Sequence, residues 1–422
     1  MVAPSNTPTS NMGPLPEVPS NPPARGSSGE APSAPPVPLV IWQVVFALVS
    51  TAIGGVASVL PELRDTHGLT NTTVGVIAAA GFLAAFVAQG VIAPLTDQWP
   101  RRPLILVGMA AAVLGLVGMA IGATGAQLVV ARVVIGLGTG VVVPTVRAAV
   151  ALTDRDSVAE NQGRLVVGEM AGFVVGPSAT AFLTSSFGLE VAFLILAGGL
   201  ALFLPLVLRV QSAPAANGHI VESRRNLLRR PRLRGAMVMI GGYALGLGAF
   251  EAVLPLQLAD AGVSTASIGL FFTAFVMPIA LSSVIGGRLA DRIGPLLVAT
   301  GGMLAGSTLA MFMGFAPNIW WIAILLVLSG VADGFGFTAS LAVTSAAVPA
   351  ERQTTALGMV GASEVLLAGL GALPAAWLFD RYGPEIAWLV MGLSMIILVT
   401  IGASLCWRSQ PDLKAPPKSP GI

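Results

Sequence analysis

The chain has 422 residues, is 55% hydrophobic with a mean hydropathy of +0.83, and is only 10% charged. Soluble domains carry about 25% charged residues, so a soluble globular enzyme is excluded, and the apolar runs do not alternate as the strands of a membrane barrel would. The formal net charge of +2 comes from basic residues spread over breaks and ends rather than gathered on one folded module, which argues against a nucleic-acid partner.

Residues 1–37, rich in Pro, Ser, Asn, Gly and Ala, read as a disordered tail and lack the charged-then-apolar pattern of a cleaved signal peptide. From Pro38 onward, apolar segments long enough to cross a bilayer alternate with short polar breaks. The predicted spans are 38–60, 72–94, 103–123, 127–149, 162–184, 190–210, 235–256, 267–287, 295–315, 319–341, 355–378 and 385–407. The expectation is an all-α membrane protein with twelve transmembrane helices in two pseudo-symmetric six-helix bundles, 38–210 and 235–407, joined by a basic linker at 211–234 and followed by a tail at 408–422.

Arginine placement predicts the orientation. With both termini in the cytoplasm, the inner segments hold Arg101, Arg102, Arg147, Arg155, Arg164, Arg209, Arg288, Arg292, Arg352, Arg408, Lys414 and Lys418, together with the linker arginines from Arg224 to Arg234. The outer segments keep only Arg64 and Arg381. This is the bias of the positive-inside rule and points to the inner membrane of a cell, multi-pass; the linker arginines either set this topology or meet anionic lipid.

The two halves repeat. Val59-Leu60-Pro61, Gly68, Gly75, Leu95 and Asp97 recur as Val253-Leu254-Pro255, Gly262, Gly269, Leu289 and Asp291, displaced by 194 positions. Gly188 and Glu190 recur as Gly383 and Glu385, displaced by 195. A constant offset implies two similar bundles about a pseudo-twofold axis, an arrangement on which alternating-access transporters are built.

Enzymatic signatures are missing. Cys406 is the only cysteine, and His67 and His219 have no partner at metal-ligand spacing, so neither a disulfide nor a metal site is expected. There is no phosphate-binding G-x-x-x-x-G-K-[ST] loop, and both lysines lie in the last tail. No cofactor is expected; a proton gradient is the expected energy source.

After the second span the sequence reads Ala93-Pro94-Leu95-Thr96-Asp97-Gln98-Trp99-Pro100-Arg101-Arg102, and after the eighth Gly287-Arg288-Leu289-Ala290-Asp291-Arg292-Ile293-Gly294. Both resemble the loop signature of the major facilitator superfamily, G-x-L-A-D-R-x-G-R-R, the second closely and the first with Ala, Gln and Pro at 93, 98 and 100. The resemblance implies that Asp97, Arg101, Arg102, Gly287, Asp291, Arg292 and Gly294 form a conformational latch; fixing topology and turn geometry is the alternative. The fourth span holds Arg132-x-x-x-Gly136-x-Gly138-x-Gly140 and the fifth holds Gly163 and Gly172-x-x-x-Gly176-Pro177, resembling two motifs of the twelve-helix drug:proton antiporter subgroup, although Thr180-Ala181 replaces a Gly-Gly pair. Close helix packing accounts for the same glycines.

Charged residues within a bilayer cost about 2.5–3.5 kcal/mol each even on the gentler scale, and so ask for a role. The charges here are Arg132, Glu169, Glu251, Asp333 and Glu364. Glu169 and Glu364 differ by 195 positions, the repeat offset, so the twofold places them at matching depths in opposite halves. As the resemblance implies, their helices flank the central cavity, where they would either bind protons or neutralise a cationic substrate. Glu251, nearer the outer end of its span, could instead reach the headgroups. The function expected is proton-coupled efflux of a small amphipathic or cationic compound by a monomer. An importer or facilitator of a metabolite or sugar, using Gln89, Tyr243 and Asn161, is the alternative.

Overall fold

A segment out of water must satisfy its own backbone, and helices do this locally. The computed structural model describes residues 38–92, 100–153, 158–208, 224–349 and 352–409, and every regular element among them is helical. The first half contains α1 (Leu39–Ser58), a short α2 (Leu60–His67), α3 (Asn71–Ile92), α4 (Arg101–Ile121), α5 (Gly125–Thr153), α6 (Val158–Phe187), α7 (Leu189–Leu202) and α8 (Leu204–Val207). After the short α9 (Arg224–Leu228), the second half contains α10 (Pro231–Asp260), α11 (Thr265–Ile293), α12 (Pro295–Met311), α13 (Ile319–Ser345) and α14 (Gln353–Arg408). The expected tail at 1–37, residues 410–422 of the expected C-terminal tail, the linker stretch 211–223 and Asp97 lie outside the described residues.

Two boundaries differ from expectation for identifiable reasons. Pro231 to Arg234, expected in the linker, form the first turn of α10, where a proline at the first position loses no hydrogen bond. The eleventh and twelfth spans are continuous as α14, and the break between them shrinks to Gly383, at φ 81° and ψ 178°. Eleven helices are long and apolar enough to cross a membrane, and the last, Thr355–Arg408, has 54 residues. Since about 20 residues cross a bilayer, that helix crosses twice, which makes twelve crossings.

The repeat is visible in the backbone. Gly68 and Gly262 both end a helix in left-handed geometry, at φ 61° and 80°, and Gly188 and Gly383 both open one at φ 88° and 81°. A side chain at any of these positions would be strained, which explains why the glycines recur at the same offset. Packing follows the same symmetry. Within the halves α1 packs on α6 and α4 on α5, as α10 packs on α14 and α12 on α13. Between the halves α3 packs on α14 and α11 on α6. The repeat maps α3 onto α11 and α6 onto the first arm of α14, so it exchanges the two contacts.

Large apolar side chains cover the outside, among them Leu114 at 67% and Ile121 at 75% exposure. Trp320 and Trp321 are exposed where α13 begins and Trp407 where α14 ends, the two levels at which indole rings favour a membrane–water boundary. The bundle therefore has an α2 end, which also carries Gly188, Asp260 and Gly383, and a linker end, which carries α9 and the starts of α4, α6, α10, α12 and α14.

Candidate functional site

The charges singled out from the sequence separate into three places. Arg132 on α5 donates from Nη2 to Oε1 of Glu251 on α10 across 2.7 Å, joining the two halves. Their side chains are 2% and 10% exposed. Arg132 fits because Gly81 on α3 leaves room: a Cβ there would lie 2.5 Å from Nε. Glu251 is therefore not at the headgroups; a buried carboxylate is tolerable here because a guanidinium partners it.

Nearer the linker end, Arg147 on α5 donates from Nη2 to Oε2 of Glu169 on α6, again at 2.7 Å, but these side chains are 42% and 21% exposed. Glu364 on α14 lies within electrostatic reach of both. Glu169 and Glu364 each stand eleven residues into their helices, which begin at Val158 and Gln353. The two glutamates thus lie at equal depth in opposite halves, within electrostatic reach of each other. Arg147 completes the group, although the arginine placement alone predicts it in an inner segment. The available signal was its position before Thr153, still inside the helical run.

Asp333 is apart from both groups. It lies inside the second half on α13, 4% exposed, with one long hydrogen bond from Ser329 Oγ to Oδ2 at 3.4 Å. Its Oδ1 is buried without a hydrogen-bond partner and sits against Gly306 of α12.

The residues assigned to a latch are at the linker end. Arg101 and Arg102 open α4. Asp291 and Arg292 are exposed in the last turn of α11, and no ion pair among the described residues involves either. Gly294 links α11 to α12 at φ 99°, a conformation that needs glycine. Gly287 is not sterically required, since a Cβ there would meet Thr338 at an ordinary 3.7 Å. The fifth-span motif is a seat for α1: a Cβ on Gly172 would fall on the Ala47 carbonyl oxygen, and one on Gly176 would lie 2.7 Å from the Thr51 Cα. Pro177 accepts a hydrogen bond on its carbonyl from Ser58 at 3.0 Å. Gly163 lies in α6, nearer its linker end.

Sequence reasoning missed a set of contacts that ties the halves together at the α2 end. Arg64 Nη1 donates to Asp260 Oδ1 at 2.8 Å, Thr265 Oγ1 to Glu62 Oε2 at 3.0 Å, and Thr72 Oγ1 to Asp380 Oδ2 at 2.8 Å. Partial burial lowers the Arg64 pKa, but hydrogen bonds to Asp65 and Asp260 outweigh it and hold the value above the ordinary one. Further in, Ser178 Oγ donates to the Gly269 carbonyl at 3.0 Å and Thr273 Oγ1 to the Val174 carbonyl at 2.7 Å.

A family model described as Major Facilitator Superfamily matches residues 44–259 and again 236–422. The chain belongs to that family. The first match covers the first half and runs on through α10, and the second covers the second half. Among curated relatives, the fosmidomycin resistance protein of Escherichia coli K12 is 24% identical over 365 residues, covering 82% of this chain and 87% of that protein. Multidrug resistance protein MdtG of Enterobacter lignolyticus is 26% identical over 314 residues, covering 70% and 74%. Solved structures share the fold: a D-xylose–proton symporter superposes with TM-score 0.74 at 13% identity, covering 89% of this chain and 98% of that one. An inward-facing bacterial homologue of the human lysosomal transporter Spinster superposes with TM-score 0.72 at 15% identity, covering 88% and 96%. This major facilitator protein is accordingly a multi-pass membrane transporter and not an enzyme.

Proposed function

We propose that the chain exports a small amphipathic or cationic compound in exchange for protons, by rocking its two halves about the cleft between them. The observation that carries this reading is the Arg147–Glu169 pair on one half facing Glu364 on the other. A carboxylate cluster that is partly open to water can take up protons or a cation, and each occupant displaces the other. The drug-resistance names of two relatives support export over import. One chain supplies both halves of the pathway, so the monomer is the working unit.

The arginine distribution supports placing the linker end in the cytoplasm of a bacterial inner membrane. The contacts at the α2 end then hold the outer side shut. Asp291 and Arg292, unpaired among the described residues, are latch residues for the opposite state, together with Asp97, Arg101 and Arg102. The rival reading is a metabolite or sugar facilitator, which the symporter among the structural neighbours keeps in view.

Liposomes containing the protein under an imposed proton gradient test this. Lumenal pH is followed while ethidium, as a lipophilic cation, or a neutral sugar is added, for wild type, E169Q and E364Q. Ethidium-triggered proton movement that either substitution abolishes supports the exchanger. Gradient-independent sugar flux, unchanged in both variants, replaces it with the facilitator.

A further inference from the structure

Arginines at the linker end of the second half outnumber the acids that could answer them. Arg229 and Arg230 join α9 to α10, Arg232 and Arg234 lie in the first turn of α10, and Arg292 and Arg408 end α11 and α14. Asp291, exposed in the last turn of α11, is the acid beside them, and no ion pair among the described residues involves it or any of these arginines.

Arg232 differs from a solvated surface charge. It lines a pocket of about 160 Å³, open on one side, between the start of α10, the α11–α12 joint and the end of α14. The residue is half-buried, and its Nε is enclosed without a hydrogen-bond partner. A guanidinium held partly out of water without an acceptor is costly, and an anion against its two terminal nitrogens offsets that cost. Its place is fixed from behind. Cys406 Sγ donates to the Arg232 carbonyl at 3.4 Å, and a Cβ at Gly235 would lie 2.7 Å from the Gly402 carbonyl oxygen, so α10 and α14 are in close contact there.

A second source of positive potential faces the same pocket. The 17-residue α12 starts in its wall with Pro295, Leu296 and Leu297, and no side chain caps it. Proline has no N–H, and neither the Leu296 nor the Leu297 N–H has an acceptor among the described residues, so the positive end of the helix is unanswered. The rest of the wall is apolar: Ile293 and Leu297 are both 53% exposed and Trp407 is 52% exposed. One turn further along the same face of α12, Gly301 is exposed, and a Cβ there would meet nothing within 4 Å. This apolar surface leads inward from the boundary that Trp407 marks. Inorganic phosphate would leave it unused, whereas a phosphodiester carrying acyl chains covers it.

We propose that this pocket binds an anionic phospholipid, with its phosphate against the Arg232 guanidinium and the start of α12 and an acyl chain along Leu297 and Gly301. The site lies wholly within the second half and away from the cleft, so it stands or falls independently of the exporter reading.

The test uses the full chain in phosphatidylcholine vesicles that contain a small fraction of lipid brominated on its acyl chains, which quenches a tryptophan it touches. The Trp407 signal is the wild-type fluorescence less that of W407F. Brominated phosphatidylglycerol is expected to quench this signal at about tenfold lower mole fraction than brominated phosphatidylcholine, the weight of one charge-assisted hydrogen bond. R232Q should abolish the preference. R229Q, which removes the same charge from an exposed position, should keep it. L297W, which fills the pocket mouth and leaves every charge in place, should lose it. Equal quenching by the two lipids in wild type, or a preference that survives R232Q or L297W, would overturn the site. So would an equal loss in R229Q and R232Q, which would show diffuse attraction to the arginine cluster instead. Inorganic phosphate in place of chloride at equal ionic strength should leave the preference intact; its loss would assign the pocket to a soluble phosphate and overturn the lipid.

Discussion

Arg132 and Arg147 stand fifteen residues apart on α5 and pair with different partners, Glu251 in the other half and Glu169 in the same half. Fifteen residues span about 22 Å and a little over four turns, so both arginines face roughly the same side of the helix. Arg132 reaches into the other half and is almost wholly buried, whereas Arg147 stays within its own half and is 42% exposed. Burial of the two ion pairs falls from the α2 end towards the linker end.

That gradient makes Arg132–Glu251 the strongest tie between the halves and a measurable one. Removing one partner leaves a buried charge uncompensated, at a cost of about 3–5 kcal/mol, while replacing both with apolar groups of similar size is close to neutral. E251A is therefore expected to melt well below wild type in detergent, and R132M/E251M to regain most of the loss. Equal melting of single and double variants would show that the pair contributes no coupling.

The same tie should bias conformation. Spin labels at Thr66 and Ala261, both exposed at the α2 end and introduced with Cys406 replaced by serine, report the distance between the halves there. E251Q, which leaves Arg132 buried without its charge partner, is expected to add a longer-distance population to the short one of wild type. An unchanged distribution would place the closing force in other contacts.

The rim contact Arg64–Asp260 provides an internal control. With 47% of the aspartate side chain exposed, its contribution is about 0–1 kcal/mol and is screened by salt. D260N should lower the melting temperature far less than E251A, and the small difference should shrink further at high salt. The elevated Arg64 pKa has a definite sign: the guanidinium remains charged below it, so this contact is insensitive to pH across the neutral range.

The antiporter-like glycines give a structural prediction. A Cβ at Gly172 would occupy the position of the Ala47 carbonyl oxygen, so G172A must push α1 away from α6. Overpacking of this kind costs about 1–3 kcal/mol. G287A, where the added methyl finds ordinary space, is expected to melt like wild type. If G172A were as stable as G287A, the α1–α6 seat would be looser than described.

Much of this architecture was legible in the sequence because it is written in local or periodic signals. Span length, the 194-residue offset and the recurrence of Gly68 at Gly262 each depend on residues that need no knowledge of distant partners. The offset also brought Glu169 and Glu364 to one level. Pairing was not legible. Arg132 and Glu251 are 119 positions apart, and nothing in either neighbourhood names the other. Arg147 lies near the end of its span, where a charge that sets topology and one that faces a cleft have the same sequence signature. Asp333 stood beside Gly330, Gly334 and Gly336, which suggested space around it, yet its cavity belongs to the second half and not to the cleft.

Arg147 is the residue whose role the sequence least revealed, and its chemistry is specific. The guanidinium donates to Glu169 and stands 5.8 Å from the centre of the Phe46 ring. A lysine keeps the charge but not the planar group that can both stack and donate in a fixed direction. R147K is therefore expected to reduce ethidium-driven proton flux in liposomes by about tenfold, and with both side chains partly in water it should melt close to wild type. Wild-type flux in R147K would reduce the residue to a source of positive charge. A large loss of melting temperature would instead make the Arg147–Glu169 pair structural, leaving Glu364 as the carboxylate at the cleft without this support.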